Sequence, residues 1–191
     1  MNTRRSVDPS AEMDHQLSVT AALRGSGRLP VSGALPKPGE LLRDFTLPAA
    51  DGTPARLADL RGQSSLVLVF TGALPLPAAL QPLLAAAPQY AIEDAKLVAV
   101  VAAPLSEARQ LKPGAAGEMT VLADPQAAVH RQAGADRSSS AVYVTDRFGE
   151  IFAAWRTAAG DMPPPVPEVL RTLRQINLLC PECGSPEWPE E

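Results

Sequence analysis

Ser65-Leu-Val-Leu-Val-Phe70-Thr71-Gly72-Ala73-Leu74-Pro75-Leu76-Pro77 is the stretch that decides the fold. From Leu66 to Phe70 it is apolar at every position, not at alternate ones. That pattern belongs to a strand covered on both faces, as in a parallel sheet. A turn and then proline follow. Proline suits the first turn of a helix, where its missing N–H would have no partner in any case. A helix is therefore expected from Pro75 or Pro77 to about Ala87, with Leu80, Leu83 and Leu84 on one side and a kink or delay at Pro82.

Working outward, Lys96-Leu-Val-Ala-Val-Val-Ala102 repeats the two-faced apolar pattern, and Thr120-Val-Leu-Ala123 is a shorter strand. Ser106 is placed to cap a short helix through Leu111. Asp124-Pro125 reads as a helix start, Asp as N-cap and Pro at the first position, running to about Ala133 and stopping at Gly134. Ala141 to Thr145 and Glu150 to Trp155 form an antiparallel pair around the turn Arg147-Phe-Gly149. Beyond Pro163-Pro-Pro165, residues Pro167 to Leu179 read as a closing amphipathic helix with Val169, Leu170, Leu173 and Ile176 as its apolar stripe. Upstream, Asp44 to Leu47 and Pro54 to Leu57 flank the turn signal Asp51-Gly52, which makes a small hairpin. Leu57 to Gly62 is one helical turn. This alternation is an α/β order, a central mixed sheet flanked by helices with an N-terminal β-hairpin extension. Residues 1–34 read as a flexible N-terminal extension, 35–178 as the domain, and 179–191 as an acidic tail.

Composition removes several function classes. A net charge of −4 with no dense basic patch argues against nucleic-acid binding. The longest apolar runs are far too short to span a bilayer. Arg4 and Arg5 are followed by Asp8, Glu12, Asp14 and His15, so no apolar signal core follows them, and a cytoplasmic protein is expected. Aromatic residues make up only 4%, which leaves the core to Ala, Val and Leu. The two cysteines, Cys180 and Cys183, are too few and too close to staple a fold.

Four segments together resemble a known family. Pro36-Lys-Pro-Gly-Glu-Leu-Leu-Arg-Asp-Phe-Thr-Leu47 is similar to its opening, and Asp51-Gly-Thr with Leu57-Ala-Asp-Leu-Arg-Gly62 to its next signature. Leu122-Ala-Asp-Pro125 and Tyr143-Val-Thr-Asp-Arg-Phe-Gly-Glu150 resemble two later ones. In this order they resemble the peroxiredoxin-like (AhpC/TSA, redoxin) branch of the thioredoxin fold, over roughly residues 35 to 178. The resemblance implies a thioredoxin-like fold and thiol oxidoreductase or antioxidant chemistry. It also implies a nucleophilic cysteine at the helix start after the first buried strand, where N–H groups and the helix dipole stabilise a thiolate. Matching Pro75 to the family's proline places Leu74 and Pro77 at the two cysteine positions, so the peroxidatic cysteine is missing. Thr71 is the one hydroxyl nearby, and without an adjacent base it is a poor nucleophile. The family often carries an arginine before the strand at Val142. Arg137 stands a few residues early, either a displaced active-site arginine or a solvated loop residue, the second reading being preferred.

Cys180-Pro-Glu-Cys183-Gly184 leaves three readings open. The spacing suits a redox dithiol, although a helix C-terminus and Glu182, Glu187, Glu190 and Glu191 oppose thiolate formation. It also suits half of a zinc knuckle, which needs four ligands and hence His130 or His15, a second copy, or a partner. The third reading is a tail that does little, or that docks through Trp188. His130 is expected at the surface without a partner. Tyr143 and Trp155 are expected to pack on the sheet, and Asp44, Asp124 and Asp146 to be turn and cap residues. The expectation is a divergent redoxin with Cys180 and Cys183 as the candidate redox pair and no cofactor. Its alternatives are a non-catalytic protein-binding module and a zinc-bridged assembly. A protein partner or homodimer is expected, and neither nucleic acid nor membrane.

Overall fold

A computed structural model describes residues 35–72, 75–111, 119–158 and 161–179. The expectations for the N-terminal extension and for Leu74, Cys180, Cys183 and Trp188 lie outside the described residues. The run Leu66 to Phe70 forms the middle of β3 (Ser65–Thr71), and all seven of its residues are buried. Alternate side chains go to opposite faces. Leu66, Leu68 and Phe70 join one core with Phe45, Leu57, Val98 and Tyr143. Val67 and Val69 join a second with Leu83, Tyr90, Leu97 and Leu173. This two-sided burial is why the strand needs no polar alternation.

In chain order the hairpin β1 (Thr46–Pro48) and β2 (Pro54–Arg56) leads into α1 (Leu57–Leu60) and then β3. A 3₁₀ turn (Ala78–Leu80), α2 (Gln81–Ala85) and α3 (Ala87–Ile92) precede β4 (Ala95–Val101). Then come α4 (Leu105–Ala108), β5 (Met119–Ala123), α5 (Ala128–Gln132), β6 (Ser139–Thr145), β7 (Ile151–Ala158) and α6 (Val166–Asn177). The main sheet runs β5-β4-β3-β6-β7, and β1-β2 form a separate two-stranded sheet. β4 is parallel to β3 and to β5, while β6 is antiparallel to β3 and to β7. The sheet is thus mixed, with helices on its faces, as expected.

Several helix boundaries differ from the sequence expectation: Ser106 is not a cap but lies inside α4, which starts at Leu105 after Pro104 and ends at Ala108, short of Leu111. The single helix after Pro75 is three short pieces. Gln81 begins α2 and Ala87 begins α3, each with a proline in its first turn, Pro82 and Pro88. A proline that lacks its N–H restarts a helix more readily than it continues one. The helix at Asp124-Pro125 begins three residues late. Ala127 takes a left-handed conformation at φ 51°. Asp124 caps from a distance: its Oδ1 accepts the Ala128 N–H at 3.0 Å.

The expected roles of Asp44 and Asp146 hold. Asp44 accepts the Ala58 N–H at 2.9 Å at the start of α1. Asp146 accepts the Phe148 and Glu150 N–H groups at 2.8 and 2.9 Å across the β6–β7 turn. Gly149 sits there at φ 90°, a conformation costly for any residue with a Cβ. Among the described residues no helix is long and apolar enough to cross a membrane.

Because β3 is buried on both faces, a cavity in it cannot refill from solvent. Leu68→Ala should lower unfolding stability by about 3 kcal/mol, read as a shifted urea midpoint with an unchanged slope.

Candidate functional site

The carboxyl end of β3 opens on a cleft of about 410 Å³. Thr71, Gly72 and Pro77 line it from the β3 side, and Ser138, Ser139 and Ser140 from the start of β6. Strand register explains the meeting: β6 runs antiparallel to β3, so Ser140 pairs with Thr71. Thr157 joins them because β7 pairs Thr157 with Ser140. The hydroxyls beside Thr71 were not anticipated from sequence. They come from positions far along the chain, and only the strand pairing brings them together.

Asp136 organises the serine turn. Its Oδ1 accepts the Ser138 Oγ at 2.7 Å, the Ser138 N–H at 2.8 Å and the Ser139 Oγ at 2.9 Å. The Ser138 hydroxyl is the main reason that the Asp136 carboxyl is held down at about 2, against an ordinary 3.8.

Arg137 is more than a solvated loop residue. Its side chain is exposed overall, yet Nη1 donates to the Ala102 carbonyl at 3.0 Å and Nη2 donates to the Pro125 carbonyl. It therefore ties the loop before β6 to the ends of β4 and β5. Its backbone also presses on Gly72, where a Cβ would overlap Arg137 main-chain atoms. Close backbone approach of this kind requires glycine.

His130 is the largest correction to the sequence expectation. It is not at the surface but wholly buried, at 0% exposure. Its Nδ1 lies 2.8 Å from Asp124 Oδ2 and its Nε2 3.1 Å from the Thr71 carbonyl. The Phe70 ring meets it edge to face, with ring centroids 5.5 Å apart. With both nitrogens engaged it has no lone pair to offer a metal. Asp124 likewise does more than cap: Oδ2 also accepts the His130 N–H at 2.9 Å. Burial raises the Asp124 carboxyl, and the hydrogen bonds from His130 outweigh it, so the net shift is downward.

Thr71 is 1% exposed, and its hydroxyl has no hydrogen-bond partner among the described residues. His130 bonds the Thr71 carbonyl, not its hydroxyl, so no base activates that oxygen. Tyr143 and Trp155 pack on the sheet as expected. Tyr143 is fully buried and its hydroxyl donates to the Ala133 carbonyl at 2.5 Å.

The C-terminal end of α6 lies far from this cleft. Arg174 Nε donates to Glu93 Oε1 at 2.8 Å, and Asn177 Nδ2 to the Glu93 carbonyl at 3.1 Å. Glu93 lies at the end where the parallel strands begin, since the Ser65 N–H bonds the Asp94 carbonyl at 3.1 Å. The cleft lies where β3 ends. Seven strand residues separate those ends by roughly 20 Å. Cys180 follows directly on Leu179, and no cysteine precedes it in the sequence. Among the described residues no cluster of His, Cys, Asp or Glu is arranged to hold a metal ion.

A five-stranded mixed sheet with this order, covered on both faces and open at the end of its central strand, defines a redoxin of the thioredoxin fold. The AhpC/TSA family model matches residues 38–154, and the chain belongs to that family. The crystal structure of peroxidoxin BcpB from Mycobacterium tuberculosis superposes with a TM-score of 0.64 at 23% identity, over 75% of this chain and 99% of that one. The reduced 2-Cys peroxiredoxin of Plasmodium vivax superposes with a TM-score of 0.60 at 17% identity, over 77% and 88%. At such identities these structures share the fold. No curated protein sequence matches the chain.

Gly72→Ala should cost about 2 kcal/mol, because the added carbon must displace the Arg137 backbone; chemical denaturation reads it. Asp124 and Asp136 have folded values below the ordinary 3.8. Their stabilisation is present above that value and lost as pH falls through the folded values, toward about 2 for Asp136. Asp136→Asn should flatten that acid-side loss in a pH series of urea midpoints.

Proposed function

We propose that this AhpC/TSA-family chain has lost peroxidase chemistry at the cleft and that its thiol chemistry belongs to Cys180 and Cys183. The carrying observation is positional. The family's nucleophile belongs at the helix start after β3, where Leu74 and Pro77 stand, while both cysteines follow the far end of α6. Leu and Pro carry no group able to attack a peroxide. Thr71 offers a hydroxyl with no base.

In this reading the pair reduces a disulfide on a partner protein. One thiolate of the pair attacks the partner's disulfide, forming a mixed disulfide and releasing one partner thiolate. The second thiol of the pair, as thiolate, displaces the partner from the mixed disulfide. Two electrons and two protons pass from the dithiol to the partner, and Cys180–Cys183 becomes the disulfide. Glu182, Glu187, Glu190 and Glu191 are close in sequence and disfavour a thiolate, so slow exchange at neutral pH is the expected outcome.

A second reading keeps the cleft as a binding surface without chemistry. Met162, at its rim, is 80% exposed, an apolar side chain of a kind that contributes to protein contacts.

Purified reduced chain should consume no hydrogen peroxide beyond the background rate of free thiols. It should reduce a model protein disulfide such as insulin, and the double variant Cys180→Ser with Cys183→Ser should lose that exchange by about tenfold or more. Thr71→Val should keep it. Peroxidase turnover by the wild type, or undiminished exchange by the double variant, overturns the reading. A pull-down partner retained by the double variant and lost on Met162→Glu favours the binding reading instead.

A further inference from the structure

Three hydroxyls form a row on the floor of the cleft. Thr71 pairs with Ser140 across β3 and β6, and Ser140 pairs with Thr157 across β6 and β7. Directly paired residues point to the same face of a sheet. That face carries Val67, Val69, Val142 and Val144 in one core, so the row stands over that core where β3 ends. Opposed side chains on adjacent strands lie about 5 Å apart.

The row is buried polar surface. Thr71 is 1% exposed and Thr157 7%. The Thr71 hydroxyl has no hydrogen-bond partner among the described residues. Ser138 and Ser139, in the adjoining turn, instead give their hydroxyls to Asp136. A buried hydroxyl left unbonded destabilises the fold, whereas a valine of nearly the same shape would suit a face already built from valines. The cleft is the space from which a partner can reach this oxygen.

The remaining lining selects the class of that partner. Pro77 and Leu80 belong to one apolar wall, and Met162 and Pro163 to another. Two charged side chains line the cleft, Arg137 and Asp161. Arg137 is spent on the carbonyls of Ala102 and Pro125, and Asp161 is exposed. A carboxylate ligand would therefore enter a mostly apolar pocket with its charge unpaired. A primary carboxamide carries an acceptor oxygen and a donor nitrogen about 2.3 Å apart and no charge. Laid over two hydroxyls about 5 Å apart, it places each of its atoms at about 2.8 Å from one of them. The volume of about 410 Å³ lies within the range of small-molecule sites.

We propose that the cleft binds a small neutral carboxamide head-first, with its amide on the Thr71 and Ser140 hydroxyls and its aliphatic chain against Leu80 and Met162. Thr71 donates to the amide carbonyl, and the amide N–H donates to Ser140. The inference deepens the reading of the cleft as a binding surface and is independent of exchange by Cys180 and Cys183.

The test is a titration of the full-length, ¹⁵N-labelled chain with hexanamide, followed by amide NMR. The Thr71, Ser140 and Thr157 amides should shift saturably, with half-saturation at about 1 mM. Hexanoate and hexylammonium, of equal chain length, should bind at least about tenfold more weakly. Thr71→Val should weaken hexanamide binding by about tenfold, yet raise the urea midpoint of the ligand-free chain, because it removes the unbonded hydroxyl. Ser140→Ala is the second variant and should weaken binding in the same direction. The proposal is overturned if those amides do not shift saturably, which is the result for a cleft that holds water only. Equal binding of either charged analogue, or undiminished binding by Thr71→Val, also overturns it. No thiol enters the titration, and the pull-down reads protein docking at Met162, so the failure of each idea is visible separately.

Discussion

β3 is the strand on which every other element depends. Both of its edges are hydrogen-bonded, to parallel β4 and to antiparallel β6, and both of its faces are covered. A strand held on four sides has one register, because a slip by one residue would exchange Leu66, Leu68 and Phe70 with Val67 and Val69 between two differently shaped cores. That register carries through β6 to β7 and through β4 to β5. The position of each side chain around the cleft is inherited from it.

The direction of the central strands then separates the molecule into two ends. At the carboxyl end the strands stop and loops converge: Thr71 and Gly72 after β3, Ala102 after β4, Asp124 and Pro125 after β5, and the serine turn before β6. Carbonyls at these strand ends are met by two side chains, Arg137 and His130. At the other end Glu93 fastens α6 to the start of β4. The cleft and the C-terminal end of α6 are thereby placed at opposite ends of one sheet.

The parts legible in the sequence were those written in local pattern. β3 and β4 announced themselves by unbroken apolar runs, the hairpin by Asp51-Gly52, and α6 by Val169, Leu173 and Ile176. Helix boundaries were less legible where several prolines competed, since Pro82 and Pro88 each restart a helix. His130 was misread for a related reason. On a five-residue helix, one histidine among Ala, Val, Arg and Gln carries no periodic signal of burial. The one available clue was its spacing of six from a capping aspartate, which places ring and carboxylate within reach only because Ala127 turns left-handed. Arg137 was undervalued because its partners are carbonyls, which every residue has and no sequence marks.

By itself the sequence determined the order of strands and helices, the two-faced burial of the central strands, and the confinement of both cysteines to the tail. These depend on composition and spacing within a dozen residues. Only the tertiary structure decided that Thr71 meets His130 across 59 positions, that Ser140 and Thr157 share its cleft, and that α6 ends at the opposite end of the sheet. Such meetings are fixed by strand register and direction, which emerge when two cores are packed at once on the two faces of a sheet. No short stretch of chain contains them.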